Sequence, residues 1–174
     1  MNGTMRRVLV IGGSGAGKST LACRLAKALD LPLIELDFFY WRPGWIETQM
    51  SEFRDVVARL ADGPAWIMVG NYYATFDLRI PVADTIVWLD FTRWTCTCGV
   101  LMRLVRNYGR TREGMPEGCP ERVDPEFLKF VWNFRTQYRP RIVAALEKFA
   151  GQAQLHWLKS RKNAERFMAT IERR

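Results

Sequence analysis

Nine residues near the amino terminus, 12–20, constrain the fold of this chain more than any other feature. They read GGSGAGKST and fit the pattern G-x-x-x-x-G-K-[ST], with Lys18 and Ser19 at its end. Glycines let the backbone curl until several N–H groups point inward, which makes a concave site for phosphate oxygens. A helix that opens at Lys18 would add its positive end to that site. The pattern therefore predicts a phosphate loop that binds a nucleoside triphosphate.

The segments on either side of this phosphate loop have the periodicities that the motif requires. Residues 7–11 form a short apolar run with two valines, and Leu21, Leu25 and Leu29 follow at helical spacing. Within the loop we expect Lys18 to reach the β- and γ-phosphates and the Ser19 hydroxyl to bind Mg²⁺. The residues predicted to contact ATP are Gly12, Gly13, Ser14, Gly15, Ala16, Gly17, Lys18, Ser19 and Thr20.

Strands and helices alternate along the rest of the chain. The predicted strands are 7–11, 33–37, 65–69, 85–90 and 154–159. The predicted helices are 18–29, 48–61, 93–107, 125–149 and 162–172, with Pro140 kinking or splitting the fourth. Such alternation predicts an α/β fold, a parallel sheet with helices on both faces. A length of 174 residues suits one domain spanning residues 1–174.

Composition narrows the class of protein and its compartment. We expect no signal peptide and no membrane span, because no apolar run approaches the roughly 20 residues that a span needs, and so we expect a cytoplasmic protein. The four cysteines lack a paired C-x-x-C spacing and are interpreted as reduced thiols. The net charge of +8 is compatible with nucleic acid, yet many of the arginines lie among acids between residues 103 and 142. That distribution also suits phosphate chemistry on small molecules.

Carboxylates lie at the carboxyl ends of two of the predicted strands. Ligands of parallel α/β sheets bind beyond the carboxyl ends of the strands, so these acids are candidate site residues. Asp37 is predicted to hold an acceptor hydroxyl or take its proton, and Glu35 and Asp90 are predicted to help Ser19 place Mg²⁺. A solvated strand end or a helix cap is the alternative for Glu35 and Asp37. Phe91 follows Asp90 where many ATP-hydrolysing motors carry a water-activating Glu, which favours transfer to an acceptor.

Aromatic and polar residues elsewhere could hold that acceptor. A Pro-Gly turn between Trp41 and Trp45 is either a platform over the acceptor or a loop pinned by its own aromatics. Asn71 and Tyr72 follow the third strand and offer hydrogen-bond donors. Arg79 is either an anion holder or a surface arginine. We expect an acceptor among Asp37, Trp45, Asn71, Tyr72 and Arg79.

A segment rich in arginine begins in the helix after the fourth strand and continues beyond its end. Arg103 and Arg106 share one helix face, and Arg110 and Arg112 lie in a stretch with glycine and proline but no helical period. Residues 107–124, called the arginine loop below, are predicted to be a lid whose arginines neutralise a transferring phosphoryl group while closure excludes water. A charged surface loop is the alternative.

Together these motifs resemble P-loop kinases of the adenylate kinase and shikimate kinase type. More closely, Phe39-Tyr-Trp-Arg-Pro-Gly-Trp45, Gly70-Asn-Tyr72 and Gly118-Cys-Pro-Glu-Arg122 resemble small bacterial proteins labelled "DNA topology modulation protein". The resemblance implies a five-stranded parallel sheet in the order 2-3-1-4-5 with ATP and Mg²⁺ at the phosphate loop. It also implies that Asp37 orients or deprotonates the acceptor, that Glu35 acts on Mg²⁺ through water, and that Arg161 borders the adenine.

The chain departs from this resemblance at one position. Relatives usually carry an acid before the Gly-Asn-Tyr, and here the residue is Val69. We expect Glu35, Asp37 and Asp90 to replace that acid around the metal.

The favoured interpretation is an ATP-dependent kinase that phosphorylates a hydroxyl or phosphate of a small molecule. A nucleotide-dependent DNA-binding regulator is the second interpretation, and it is less favoured because the sequence has no helix-turn-helix or finger motif. A third is an ATP-binding protein whose catalysis is degenerate, for which Val69 is the hint. Both a monomer and a homodimer are compatible with the sequence.

Overall fold

The computed structural model describes residues 5–173, in which strands and helices alternate. The strands are β1 (Arg7–Gly12), β2 (Leu33–Glu35), β3 (Trp41–Arg42), β4 (Ile46–Glu47), β5 (Trp66–Val69), β6 (Thr85–Leu89) and β7 (Gln154–Leu158). The helices are α1 (Lys18–Leu29), α2 (Leu36–Tyr40), α3 (Met50–Ala61), α4 (Phe76–Arg79), α5 (Arg93–Asn107), α6 (Pro125–Gln137), α7 (Arg139–Phe149) and α8 (Arg161–Ile171). A 3₁₀ turn, Tyr73–Thr75, precedes α4. Among these described helices, none has both the length and the apolar content that a bilayer crossing requires.

Five parallel strands form the central sheet in the order β2-β5-β1-β6-β7. Counted along the chain among these five alone, this is the order 2-3-1-4-5, and both the predicted α/β fold and its topology are confirmed. The remaining strands, β3 and β4, pair with each other as a small antiparallel hairpin. Because all five sheet strands run the same way, their carboxyl ends meet at one edge of the sheet, where ligands of such folds bind.

The middle strand β1 shows why its sequence is apolar throughout. Successive side chains of a strand point to opposite faces of the sheet. Val8 and Val10 pack in the core that includes α1 and α8, whereas Leu9 and Ile11 pack in the core that includes α3 and α7. All four are fully buried, so helices cover both faces of the sheet at this strand.

Several predicted boundaries are confirmed, and the predicted break in the fourth helix is found. Helices α1 and α5 have the predicted limits. The segment 125–149 divides at Tyr138, and Pro140 lies in the first turn of α7, where its missing N–H costs no helical hydrogen bond. The Asp124 carboxylate accepts a hydrogen bond from the Phe127 amide at 2.9 Å and so caps α6.

The main difference from the predicted elements lies after β2. A strand was predicted over 33–37, but β2 ends at Glu35 and one turn of helix, α2, begins at Leu36. Leu36 is fully buried in the core with α3. Asp37 therefore lies in the first turn of a helix at the carboxyl edge of the sheet, and not on the strand itself.

Candidate functional site

A cavity of about 1180 Å³ opens at the carboxyl edge of the sheet. Phosphate-loop residues, α2 and the arginine loop all contribute to it. The predicted site residues that line it are Ser14, Gly15, Ala16, Gly17, Lys18, Ser19, Thr20, Glu35, Asp37, Trp45, Asn71, Tyr72, Arg103, Arg106, Arg112 and Arg161. The predicted site residues that do not line it are Gly12, Gly13, Arg79, Asp90 and Arg110.

The phosphate loop depends on glycine for its backbone conformation and for close packing. Gly15 and Gly17 have φ angles of 80° and 90°, which favour glycine over other residues. A Cβ on Gly15 would lie 2.1 Å from the Cys96 carbonyl oxygen of α5, whereas a Cβ on Gly17 would meet nothing within 4 Å. Gly15 therefore lets the loop approach α5. Gly17 faces open space, so no neighbouring atom crowds the loop there.

Gly99 completes this contact from the opposite side, and the sequence reasoning missed it. It lies in α5, and a Cβ there would come 2.1 Å from the Gly15 carbonyl oxygen. The signal in the sequence was an otherwise costly glycine inside a helix. Gly99 thus lets α5 pack directly on the phosphate loop.

Replacing Gly99 with alanine is expected to weaken nucleotide binding by about tenfold or more, because the loop must shift to admit the methyl group. Isothermal titration with ADP would measure the change. The neighbouring Cys98 is exposed, so Cys98→Ala is the matched control and should bind normally. Unchanged affinity in Gly99→Ala would show that the loop tolerates the displacement.

Lys18 lies in the cavity without a carboxylate in ion-pair contact. Its Nζ donates to the Gly13 carbonyl at 3.1 Å, and none of the ion pairs found within residues 5–173 includes it. Desolvation lowers the pKa of Lys18 to about 8, and the negative charge of Asp37 opposes this shift. A desolvated cation of this kind favours an anionic ligand such as a polyphosphate.

Asp37 is a carboxylate that lines the cavity and has two side-chain partners. It accepts a hydrogen bond from the Tyr72 hydroxyl at 2.7 Å and lies 3.1 Å from an Arg112 terminal nitrogen. Burial, then the charge of Asp37, raises the pKa of Tyr72 far above its ordinary value, so the hydroxyl stays protonated and donates. The carboxylate is thereby oriented from one side by a phenol and from the other by a guanidinium.

Asn71 also has a structural task that the sequence did not indicate. Its side chain accepts from the Gly12 amide at 3.0 Å and donates to the Gly12 carbonyl at 2.9 Å. It therefore joins the end of β5 to the start of the phosphate loop. The next residue, Tyr72, has a φ of 32°, an unusual backbone conformation for a tyrosine.

Arg79 does not lie in the cavity, where the sequence analysis had placed it as an acceptor residue. It is fully buried, and its guanidinium donates to the carbonyls of Gly70, Asn71 and Tyr72 and to the Thr75 hydroxyl. Burial lowers the pKa of Arg79 to about 9. Because its donors are used by the chain itself, Arg79 holds the segment after β5 in place and does not present a charge to the cavity.

Replacing Arg79 with methionine is expected to lower the free energy of unfolding by about 3 kcal/mol, since buried carbonyls would lose their partner. For a protein of this size, that corresponds to a fall in Tm of about 10 °C. Arg59 is exposed in α3, so Arg59→Met is the control, and it should leave Tm within about 2 °C. A variant at Arg79 as stable as the wild type would contradict the assigned role.

Asp90 also departs from its predicted role as a metal-orienting acid. It is buried, and its carboxylate accepts from Arg139 Nε at 3.0 and 3.1 Å and from Trp157 Nε1 at 3.0 Å. The Arg139 guanidinium also lies over the rings of Trp88 and Trp157. The carboxylate is thus occupied in a structural cluster that links β6, β7 and α7. Of the three acids expected to compensate for Val69, only Glu35 and Asp37 line the cavity.

The segment Trp41–Trp45 and the segment Gly118–Arg122 contact each other. The turn between β3 and β4 contacts the arginine loop, where the Gly44 amide donates to the Gly118 carbonyl at 2.8 Å. Trp45 Nε1 donates to the Pro120 carbonyl at 3.0 Å. Trp45 also lines the cavity, so the hairpin both borders the cavity and fastens the loop. The Pro-Gly turn and the arginine loop were considered separately in the sequence, and this contact was not predicted.

The donor set fits a metal held together with phosphates better than a metal held by protein alone. No group of three or more His, Cys, Asp or Glu residues within 5–173 is arranged to hold an ion. Ser19 and Glu35 line the cavity together with the phosphate loop. A hard cation such as Mg²⁺ commonly takes few protein ligands and completes its shell with phosphates and water.

Comparison with models of known protein families gives no match, and no protein of curated function matches the sequence. Solved structures do match. Shikimate kinase from Bacteroides thetaiotaomicron is 20% identical, with 97% of each chain covered and a TM-score of 0.52. Shikimate kinase from Acinetobacter baumannii, in complex with shikimate, is 15% identical, with 97% of this chain and 91% of that chain covered and a TM-score of 0.59.

A sugar kinase from a Janibacter species is also similar, at 19% identity, with 95% of this chain and 91% of that chain covered and a TM-score of 0.53. At such identities the likeness is one of fold. The chain therefore has the fold of P-loop kinases, with an α/β sandwich and a cavity at the carboxyl edge of its sheet.

Proposed function

We propose that this protein is an ATP-dependent kinase that transfers the γ-phosphoryl group to a hydroxyl or phosphate of a small molecule. The main support for the proposal is that Lys18, Asp37 and Arg112 line one cavity together with the phosphate loop. A cation for the phosphates, a carboxylate for the acceptor and a second cation between them are the groups that phosphoryl transfer uses. The fold shared with shikimate and sugar kinases supports the same conclusion.

The nucleotide would lie on the phosphate loop. Residues 14–20, which line the cavity, would hold the phosphates. Lys18 would neutralise the β- and γ-phosphates, and Arg161, at the start of α8, would border the adenine. Ser19 and Glu35 would hold Mg²⁺, Glu35 through water. ATP supplies the phosphoryl group and Mg²⁺ supplies charge neutralisation when they are bound.

The acceptor would lie against Asp37, Trp45 and Tyr72. Asp37 would accept a hydrogen bond from the acceptor hydroxyl and take its proton as the acceptor oxygen bonds to the γ-phosphorus. The bond from that phosphorus to the β–γ bridging oxygen would break in the same transfer, and ADP would leave with the oxygen. Tyr72 keeps the carboxylate oriented, because its hydroxyl donates to Oδ1 and leaves Oδ2 toward Arg112. Trp45 would supply an apolar ring at the far side of the acceptor.

Arginines would stabilise the transferring group. Arg103, Arg106 and Arg112 line the cavity, whereas Arg110 is exposed and would have to move to reach it. We infer that the chain is one domain spanning residues 1–174, with the lid at about 107–124, and that it is cytoplasmic. The closer resemblance to proteins labelled "DNA topology modulation protein" is part of this proposal, and the residues of the cavity support a kinase activity for the chain.

An ADP-release screen would test the function. Purified protein would be incubated with ATP and panels of nucleosides, nucleotides, sugars and small acids, each with and without Mg²⁺. We expect one panel to raise ADP release well above the acceptor-free rate, and only with Mg²⁺. Absence of ATP binding, or binding with no acceptor-dependent release from any panel, would contradict the proposal.

A further inference from the structure

Glu121 is a buried carboxylate inside the arginine loop to which the sequence assigned no role. Only 5% of the residue is exposed. Its Oε1 lies 3.0 Å from Arg103 Nε and also 3.0 Å from Arg112 Nε. One acid therefore joins an arginine of α5 to an arginine of the loop. A carboxylate is costly to bury unless such partners surround it, so this position has a specific task.

The backbone of Glu121 fixes where that carboxylate lies. The Glu121 amide donates to the Arg110 carbonyl at 3.0 Å, and the Gly109 amide donates to the Glu121 carbonyl at 2.9 Å. These bonds close the base of the loop beside the end of α5. The preceding residue, Pro120, accepts the Trp45 indole hydrogen bond. The hairpin and the loop base therefore hold Glu121 from two sides.

Two guanidinium groups this close together would repel each other if no acid lay between them. Burial lowers the pKa of Arg103, the charge of Arg112 lowers it further, and Glu121 opposes both effects. The carboxylate lies at ion-pair distance from the Nε atoms of the two arginines, although the groups are not aligned for a hydrogen bond. Arg112 still reaches Asp37 with a terminal nitrogen. Glu121 thus holds the Nε side of both guanidinium groups by charge, while a terminal nitrogen of Arg112 remains in contact with Asp37.

We propose that Glu121 is a positioning residue that holds Arg103 and Arg112 where negative charge develops on the transferring phosphoryl group. This inference rests on the proposed kinase function. It separates the arginines into a fixed pair, Arg103 and Arg112, and an unfixed pair, Arg106 and Arg110, for which no ion pair is found within residues 5–173. Fixed charges stabilise a transition state better than mobile ones because they need no reorganisation during the reaction.

The test compares a ground-state ligand with a mimic of the transferring group. Titration would measure affinity for ADP with Mg²⁺ alone and for the same ligand with aluminium fluoride, which occupies the place of the transferred phosphoryl. We expect Glu121→Gln to leave ADP affinity within about twofold and to weaken the aluminium fluoride complex about tenfold or more, as for loss of one charge-assisted contact. Glu121→Asp, which keeps the charge, should recover part of the loss.

Two controls separate positioning from general damage. Glu117 is an exposed acid of the same loop, so Glu117→Gln should behave as the wild type in both titrations. In the Arg112→Ala background, Glu121→Gln should cost much less than it does alone, since the two residues would act as a unit. Thermal unfolding of each variant confirms that it is folded.

Failure of the kinase proposal and failure of the positioning role would give different results. If the wild type binds no ADP, the kinase proposal fails and this inference fails with it. If the wild type binds ADP and Glu121→Gln weakens both complexes equally, or neither, the kinase proposal stands and the positioning role is overturned. Equal effects of Glu117→Gln and Glu121→Gln would overturn it as well.

Discussion

Lys18→Ala is expected to reduce acceptor-dependent ADP release by about 10³-fold, because removal of one pre-positioned group at a developing negative charge costs about that much. The side chain lies in the cavity with no carboxylate in ion-pair contact, so its charge is available to phosphates. Initial rates with the best acceptor from the screen would measure the effect. Nucleotide affinity should fall as well, since the same charge contributes to ground-state binding.

Lys27, an exposed lysine of the same helix, provides the matched control. Lys27→Ala should keep wild-type rate and affinity, which excludes a general effect of lost positive charge. A Lys18→Ala variant with undiminished turnover would remove the phosphate loop from the catalytic account. Circular dichroism of both variants would show that α1 remains formed.

Asp37→Asn is expected to lower turnover by between about 10² and 10⁴-fold while leaving ADP affinity nearly unchanged. Asparagine keeps the shape of the side chain and can still accept the Tyr72 hydrogen bond, but it cannot take a proton or pair with Arg112. Since the lesion lies on the acceptor side, the loss should appear mainly in kcat. Steady-state kinetics at varied acceptor and ATP concentrations would separate kcat from KM.

Asp55→Asn, an exposed change in α3, is the control for this variant. It should be indistinguishable from the wild type. An equally active Asp37→Asn would show that no side-chain base is needed and that positioning alone drives the transfer. A large loss of ADP affinity would instead place Asp37 on the nucleotide side of the cavity.

The segment after β5 connects the phosphate loop with Asp37. The Asn71 side chain bonds the backbone of Gly12, and the Tyr72 hydroxyl donates to Asp37. The Arg79 guanidinium donates to the carbonyls of Asn71 and Tyr72. A shift at either end would be transmitted over this short, hydrogen-bonded path.

Local patterns in the sequence determined the fold and the phosphate loop of the candidate site. The phosphate loop, the apolar strand before it and the helix after it are contiguous, so chain geometry alone brings them together. The apolar strands and periodic helices gave the α/β sandwich, and the resemblance to P-loop kinases gave the strand order. Pro140 and Asp124 marked helix limits by local chemistry that tertiary contacts did not override.

Only the tertiary structure decided which polar residues face the cavity. Asp90 and Arg79 both follow patterns typical of site residues. Yet Asp90 pairs with Arg139, which is distant in sequence, and the Arg79 donors are used by nearby backbone carbonyls. Glu121 and Gly99 show the reverse, because their roles arise from contacts with residues on other elements. A sequence records the type and spacing of charged groups, but the free energy of burying a charge depends on the partners that the folded chain brings to it.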